Sequence, residues 1–200
     1  DIETLDGVTW ETLVSKFGNK PEVWRAAAKV MPSMAYIRNL RNLLDKSDNM
    51  AIDYDKIVKA GKGKRILPFR FLTAKRVIDA LGREFSTEAK KAQKALEEAI
   101  ELSVANVPNL GNVAILIDRS GSMSSQVSSK SDMNCSDAAR IFAAAAYKRA
   151  DNAVIIEYDS DADVIRGIDK DDRLFSIVDK MGGPRGGTNL ALAIETAYPY

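Results

Sequence analysis

The sequence predicts an α-helical segment over residues 1–109 and a doubly wound α/β domain over residues 110–200. Before about residue 104, apolar side chains recur every three or four positions, which is typical of amphipathic helices. From Val113 onward, short apolar runs alternate with helical stretches, which is typical of βαβ units. The charge changes at the same point: residues 1–109 carry 19 Lys and Arg against 15 Asp and Glu, whereas residues 110–200 carry 10 against 13. A basic helical part is therefore joined to an acidic α/β part.

The composition narrows the classes of function. Of 200 residues, 46% are hydrophobic and 28% charged, which is typical of globular domains. No apolar run approaches the ~18 residues of a membrane-spanning helix, so we expect no membrane partner. The single cysteine, Cys135, excludes an internal disulfide framework and is compatible with a reducing compartment, so we expect a cytoplasmic location. Histidine is absent, which excludes histidine-based zinc sites and histidine general bases.

Apolar periodicity places the helices of the basic part. Thr9 is predicted to cap the first helix, Pro21 to lie near the start of the second and Ser33 to cap the third. The glycine- and lysine-rich residues 61–65 are predicted to form a loop, and residues 106–111 a linker. The predicted helices are Val8–Phe17, Glu22–Val30, Met34–Leu44, Ile52–Ala60, Phe69–Phe85 and Ser86–Val104.

Positive charge is concentrated in two places of this part. Arg38 and Arg41 are three residues apart and therefore neighbours on one face of the third helix. From Lys56 to Arg76 there are eight basic residues and no acidic one, with the phenylalanines of Phe69–Phe71 interleaved. This pattern suits binding to phosphate backbones, although an ordinary solvated surface would also produce it. The candidate nucleic-acid contacts are Arg38, Arg41, Lys62, Lys64, Arg65, Arg70, Lys75 and Arg76.

The acidic part is predicted to consist of alternating strands and helices. Val113–Ile117 is wholly apolar and mostly β-branched, which predicts a strand buried on both faces of a parallel sheet. Ser136 is predicted to start the following helix. The remaining predicted elements are the helix Asp137–Arg149, the strand Ala153–Tyr158, an antiparallel edge strand Asp163–Arg166, the helix Asp172–Met181 and a helix from Leu190 onward.

A cluster of oxygen ligands is predicted directly after the first strand. Asp118, Ser120 and Ser122 follow it at every second position, and ligands of open α/β sheets collect at this edge. Oxygen-only ligands suit a hard cation that keeps some of its waters, and Mg²⁺ fits best. The alternative is a serine-rich turn in which Asp118 only caps the next helix.

The Asp118–Ser122 segment resembles the first motif of the metal-ion-dependent adhesion site (MIDAS) of von Willebrand factor A domains. Gly186–Leu190 is similar to the second motif of that family, which implies Thr188 as a further ligand. The glycines among residues 182–187 would allow the backbone to approach the ion closely. The third motif, an Asp after the next strand, would lie beyond residue 200, so we expect the chain to be a fragment of a longer polypeptide.

The basic part resembles the carboxyl-terminal part of the TROVE module of Ro ribonucleoproteins. The residues that carry this resemblance are Met31–Pro32, Ala35–Leu44 and Leu67–Leu72. In that family, HEAT-like helical repeats form a ring that a Rossmann-like A domain closes. The ring binds small structured Y RNAs and single-stranded ends of misfolded RNAs. The resemblance implies an RNA-binding protein rather than an enzyme, with a Mg²⁺-binding A domain that closes the ring, and an RNA-processing nuclease or another protein as a candidate partner.

Two other functions are compatible with these residues. In the first, the A domain is a metal-dependent protein-interaction module that recruits an acidic side chain of a partner, and the helices serve as a spacer. In the second, the chain is a metal-dependent hydrolase. The second is disfavoured because Asp118 with neighbouring hydroxyls does not resemble a two-metal cluster, and the motif brings no general base.

Overall fold

The computed structural model describes residues 7–46, 52–63, 66–80, 86–128 and 133–200. The chain forms two compact units that interleave along the sequence. The helical unit contains the described residues of Asp1–Gly63 and Ala74–Ala99, and the sheet unit contains those of Lys64–Thr73 and Ile100–Tyr200. The predicted fold class, a helical part followed by an α/β part, is confirmed. None of the described helices is both long and apolar enough to cross a membrane.

Seven helices are described before the sheet. Thr9 caps the first, because its side chain accepts a hydrogen bond from the Thr12 amide, and Pro21 is the first residue of the second. The cap at Thr9 and the place of Pro21 were predicted, although α1 begins two residues after the predicted Val8 and α2 one residue before the predicted Glu22. The helices are α1 (Trp10–Phe17), α2 (Pro21–Val30), α3 (Ser33–Arg38), α4 (Leu40–Lys46), α5 (Tyr54–Gly61), α6 (Phe69–Ala80) and α7 (Ser86–Ser103).

The predicted helix Met34–Leu44 is wrong in two respects. It is two helices, α3 and α4, that meet at Asn39. The Asn39 amide donates to the carbonyls of both Ala35 and Tyr36 at 3.1 Å, and the Asn39 side chain also donates to the Ala35 carbonyl at 2.9 Å. Ser33 also does not cap α3: it lies inside the first turn, and Pro32 with its extended backbone precedes it.

The predicted loop that starts at Gly61 begins later. Gly61 is the last residue of α5 and is buried. A Cβ atom added to it would lie 2.3 Å from the carbonyl oxygen of Ala99 on α7. The two helices therefore meet backbone to backbone, and glycine is required for that approach. The predicted loop residues 64–65 lie outside the described residues.

Helix α7 carries the apolar stripe that the sequence predicts. Its buried residues and those of the following 3₁₀ turn, Val104–Asn106, include the predicted Ala89, Ala92, Leu96, Ile100 and Val104. Helix α6 is described only as far as Ala80, and the predicted continuation over residues 81–85 lies outside the described part.

The sheet unit is built on three strands in the order β1-β2-β3. Strands β1 (Asn112–Asp118) and β2 (Asn152–Tyr158) are parallel, and β3 (Ala162–Val164) is antiparallel to β2. Both the parallel pairing and the antiparallel edge strand were predicted, although β3 is shorter than Asp163–Arg166. The helices of this unit after β1 are α8 (Cys135–Arg149), α9 (Leu174–Val178) and α10 (Leu190–Ala197).

Helix α8 begins two residues before the predicted Asp137. Asn134 is its N-cap, and Asn134 and Asp137 form a capping box in which each side chain accepts from the other's backbone amide. Ser136 is therefore inside the helix. The box explains the earlier start, because it satisfies amides that a cap at Ser136 would leave unpaired.

Strand β1 is less buried than its apolar sequence predicts. Ile117 is buried, Ala114 is exposed, and the other residues of Val113–Ile117 are half-buried. The reason is its place in the sheet: among the described strands, β1 pairs only with β2 and lies at an edge. Complete burial of such a run needs neighbours on both sides.

Candidate functional site

The parallel pairing brings the ends of β1 and β2 to one edge of the sheet. Asp118, the last residue of β1, is the register partner of Tyr158, the last residue of β2. The segments that follow, Arg119–Ser122 and Asp159–Asp161, therefore leave the sheet side by side. Ligands of open α/β folds bind at this edge.

The predicted first-motif residues form a compact group of oxygens. The Ser120 amide donates to Oδ1 of Asp118 at 2.6 Å, which curls the loop around the carboxylate. The hydroxyl oxygens of Ser120 and Ser122 are 3.0 Å apart. Ser120 is buried and Ser122 is exposed, so the group faces solvent on one side.

This group fits a hard divalent cation. Neighbouring ligands in an octahedral Mg²⁺ shell with bonds of 2.0–2.1 Å lie about 2.9 Å apart, which matches the separation of the two serine hydroxyls. Among the described residues, no group of three or more His, Cys, Asp and Glu residues could hold a metal ion. A cation site in this part of the chain would therefore rely on hydroxyl oxygens together with Asp118.

The loop before α10 lies against the first-motif loop. The Arg185 amide donates to the Arg119 carbonyl at 2.6 Å, and the Gly121 amide donates to the Gly186 carbonyl at 3.2 Å. Gly186 has a φ of +65°, a backbone conformation that favours glycine. These bonds carry the exposed Thr188 to the edge of the sheet that holds Asp118.

Asp159 fastens the same loop from the other side. Its carbonyl accepts from the Asn189 amide, and its Oδ2 accepts from Nε of Arg185, both at 2.6 Å. The bond from Arg185 holds the pKa of the Asp159 carboxyl below its usual range. The hydroxyl of Ser160 accepts from the Gly187 amide at 3.2 Å. The loop is thus held by backbone and side-chain bonds from two strand ends.

A buried ion pair lies behind the site. Nη1 of Arg119 is 3.0 Å from Oε2 of Glu157, and the exposed fractions of the two side chains are 12% and 3%. Oε1 of Glu157 accepts from the Gly182 amide at 2.7 Å, and Nε of Arg119 donates to the Gly183 carbonyl at 3.1 Å. Burial raises the pKa of Glu157, and the positive charge of Arg119 opposes that rise.

The structure brings the four predicted metal residues to one edge, although their role as ligands stays a prediction. The residues that hold the loops were not predicted: Arg119, Glu157, Asp159, Ser160 and Arg185. One signal was present, because Asp159–Asp161 directly follows the second parallel strand and therefore had to share an edge with Asp118.

The predicted nucleic-acid contacts fall into different surroundings. Arg38, Arg41 and Lys62 are exposed residues of the helical unit. Among the described residues, none forms an ion pair with the guanidinium of Arg38 or Arg41. Both charges are therefore available to an anionic partner.

Other basic residues of the candidate set are already engaged or only partly exposed. Lys75 has a side chain that is 18% exposed, and its Nζ lies 3.0 Å from Asp79 and 3.6 Å from Glu97. Arg76 is half-buried. Lys64 and Arg65 lie outside the described residues.

Arg70 belongs to the sheet unit. It is exposed, and its guanidinium lies 5.4 Å from the centre of the Phe69 ring. Phe69 packs against Phe142 with ring centres 5.0 Å apart, whereas Phe71 is completely buried. Phe71 is thus a core residue and is not available to stack on a base.

Two family models match the chain. The TROVE domain model matches residues 6–107, and the von Willebrand factor type A domain model matches residues 113–200. The chain is also similar to the crystal structure of the Ro (RSR) protein of Deinococcus radiodurans, with a TM-score of 0.70 and 23% sequence identity. The match covers 93% of this chain and 40% of that one, so this chain spans less than half the length of the solved relative.

Proposed function

Because this chain belongs to the TROVE-domain family, with a von Willebrand factor type A domain after the TROVE domain, we propose that it is an RNA-binding protein of the Ro type. The proposed ligands are small structured non-coding RNAs similar to Y RNA and the single-stranded ends of misfolded RNAs, bound in the cytoplasm. The A domain would close the ring of helical repeats. The chain would act by binding and not by catalysis.

One observation carries the proposal of RNA binding. Arg38 at the end of α3 and Arg41 in the first turn of α4 are exposed, and no described carboxylate neutralises either. Helix α3 also packs on α5, whose last turn is followed by the exposed Lys62. Unpaired cations on neighbouring helices bind phosphates by releasing counterions from the nucleic acid.

The salt dependence of RNA binding tests this proposal. For single strands, each phosphate contact contributes about 0.7 to the slope of log affinity against log salt concentration, so replacing Arg38 and Arg41 together by Gln should reduce that slope by about 1.4. The matched control replaces Lys90 and Lys94 by Gln, because both are exposed residues of the same unit on α7. Equal slopes for the native protein and the Arg38/Arg41 variant would contradict the proposal.

We propose that Asp118, Ser120, Ser122 and Thr188 hold a Mg²⁺ ion. When bound, the ion would supply a Lewis-acidic position that a carboxylate from another molecule completes. Support comes from the oxygen-only donor set, from the 3.0 Å separation of the two serine hydroxyls, and from the exposure of Ser122 and Thr188. The chain itself orients the hydroxyls and carries the second loop to them.

Calorimetric titration with Mg²⁺ tests the metal centre. Asp118→Ala should abolish binding, whereas Asp163→Asn should leave it unchanged. The control removes a carboxylate that is 71% exposed, has no proposed ligand role and lies 4.0 Å from Arg185, whose bond to Asp159 at 2.6 Å stays in place. Because Asp118 ends a strand whose backbone bonds stay in place, we expect the Asp118 variant to keep its sheet. Unchanged affinity in that variant would refute the ligand assignment.

The exposure of Ser122 and Thr188 also favours a second function, a metal-dependent docking site for an acidic side chain of a partner protein. Chelation separates the two functions. RNA binding through Arg38 and Arg41 should survive EDTA and weaken with salt, whereas docking through the ion should be lost in EDTA. Protein that retains no RNA at low salt, but captures an acidic partner only with Mg²⁺, would favour docking.

A further inference from the structure

Arg119 lies inside the first motif, yet its side chain donates hydrogen bonds to Glu157 and Gly183 and to none of the proposed ligands. We propose that Arg119, Glu157 and Gly182 form a clasp that sets the position of the loop carrying Thr188, and that this position controls the affinity for Mg²⁺. Arg119 is then a positioning residue. The effect on affinity rests on the metal centre proposed above, whereas the effect on the loop does not.

The contacts of the clasp join two segments that are far apart in the sequence. Arg119 follows β1, and Glu157 is the register partner of Ile117 one strand away. The two oxygens of Glu157 are divided between the Arg119 guanidinium at 3.0 Å and the Gly182 amide at 2.7 Å. The carboxylate thus bridges the motif residue and the start of the second loop. Because this pair is almost completely buried, loss of one partner leaves a desolvated charge.

Gly182 makes room for the Arg119 side chain. A Cβ atom at Gly182 would lie 2.4 Å from Nη2 and 2.5 Å from Cζ of Arg119. A Cβ atom at the neighbouring Gly183 would have no atom within 4 Å. Neither glycine has a φ in the left-handed region, so alanine is compatible with the backbone at both positions. Alanine at Gly182 therefore displaces a guanidinium, and alanine at Gly183 displaces nothing.

Arg119 is linked to the segment that carries Thr188 by hydrogen bonds to the second loop. The Arg119 carbonyl accepts from the Arg185 amide, so the second loop is joined to this residue at both Gly183 and Arg185. Thr188 follows three residues after Arg185. A shift of the Arg119 side chain or backbone therefore moves the segment that places the Thr188 hydroxyl.

The experiment compares Gly182→Ala with Gly183→Ala in the intact protein. Mg²⁺ affinity is measured by calorimetry, and hydrogen exchange of the Arg185, Gly187 and Asn189 amides is measured without metal. Gly182→Ala should weaken Mg²⁺ binding by about 10- to 100-fold, as is usual for residues that support metal ligands, and should speed exchange of the loop amides. Gly183→Ala should change neither, because it keeps the backbone carbonyl that accepts from Arg119 and its added Cβ atom has no other atom within 4 Å. Native exchange at Ile155 and Ile156, which are buried in β2, shows that the sheet is intact.

A double-mutant cycle tests whether Gly182 acts through Arg119. Arg119→Ala should also weaken binding, but adding Gly182→Ala to Arg119→Ala should have little further effect, because no guanidinium remains to be displaced. Additive losses would overturn the clasp. A smaller loss in Arg119→Lys than in Arg119→Ala would support it, since lysine keeps the charge near Glu157.

The outcomes separate this inference from the metal centre. If the native protein binds Mg²⁺ and Gly182→Ala changes neither affinity nor loop exchange, the clasp is wrong and the metal centre stands. If the native protein binds no Mg²⁺ but Gly182→Ala alone speeds loop exchange, the clasp positions the loop and the proposed metal centre is wrong. Equal losses in both alanine variants would refute the clasp.

Discussion

Replacing Gly61 by Ala should push α5 away from α7. In the structure an added Cβ atom would lie 2.3 Å from the carbonyl oxygen of Ala99 and 2.6 Å from its Cα. An ordinary contact begins at 3.4 Å, so the helices must separate by about 1 Å. Because the obstructing atoms belong to the backbone of a helix, no side-chain rotation relieves the contact.

The cost of this separation follows from the buried residues within one turn of the contact. The exposed fraction of each of these residues, Ile57 and Ala60 on α5 and Leu96 on α7, is at most 2%. A gap of 0.5–1 Å removes about a quarter to a half of the dispersion attraction between facing atoms. Overpacking costs about 1–3 kcal/mol, and a backbone clash belongs at the upper end. For a chain of this size, about 3 kcal/mol lowers the melting temperature by about 6–12 °C.

Urea denaturation followed by far-ultraviolet circular dichroism measures this loss. Lys62→Ala is the control, because Lys62 is the exposed neighbour of Gly61. Amide exchange should accelerate in α5 and α7 and stay constant in β2. A Gly61→Ala variant as stable as the control would refute the close approach of the two helices.

Three further predictions concern single side chains. Asn134→Ala removes the N-cap of α8 and should lower the free energy of unfolding by about 1 kcal/mol in urea, whereas Ser128→Ala, an exposed position outside the cap, should have no effect. Hydrogen bonds from the Tyr54 hydroxyl and then from Lys91 hold the pKa of Glu88 below its usual range. The stabilisation that this gives is present above the unfolded pKa of about 4.3 and is lost as the pH falls through the lower folded value. Glu88→Gln should therefore reduce the loss of folding stability at acid pH, and an unchanged loss would contradict this prediction. Thr188→Val should weaken Mg²⁺ binding while the melting temperature of the metal-free protein stays the same; a fall in that temperature would mean that the hydroxyl also supports the fold.

Local sequence patterns were sufficient to predict the elements whose apolar repeat is long or whose motif is complete in one segment. Helix α7 repeats its apolar residues over 18 positions, and the predicted stripe residues, four in α7 and Val104 in the turn after it, are all buried. Prediction of the oxygen cluster after β1 needed only the position where that strand ends. Thr188 was added to it from the resemblance to von Willebrand factor A domains. The helix and the first motif depend on residues close in sequence, whose periodicity is readable directly.

Features that depend on distant partners were not predictable. At the break, the Asn39 amide donates to the carbonyls of both Ala35 and Tyr36, and nothing in the spacing of apolar residues signals it. Gly61 was assigned to a loop because its reason for being glycine, the close approach to the Ala99 backbone, involves a residue 38 positions away in the sequence. The pairing of Arg119 with Glu157 depends on the parallel register, which places Glu157 beside Ile117.

The bonds that dock the second loop have a consequence for how such domains can diverge. Three of them run between main-chain atoms: Gly121 to Gly186, Arg185 to Arg119 and Asn189 to Asp159. Amides and carbonyls survive every substitution except proline, so mutations that erase the hydroxyls would leave the loops in register. A related domain that lacks the proposed ion could therefore still keep its second loop docked on the sheet. Retention of the shape is therefore no guide to retention of the chemistry.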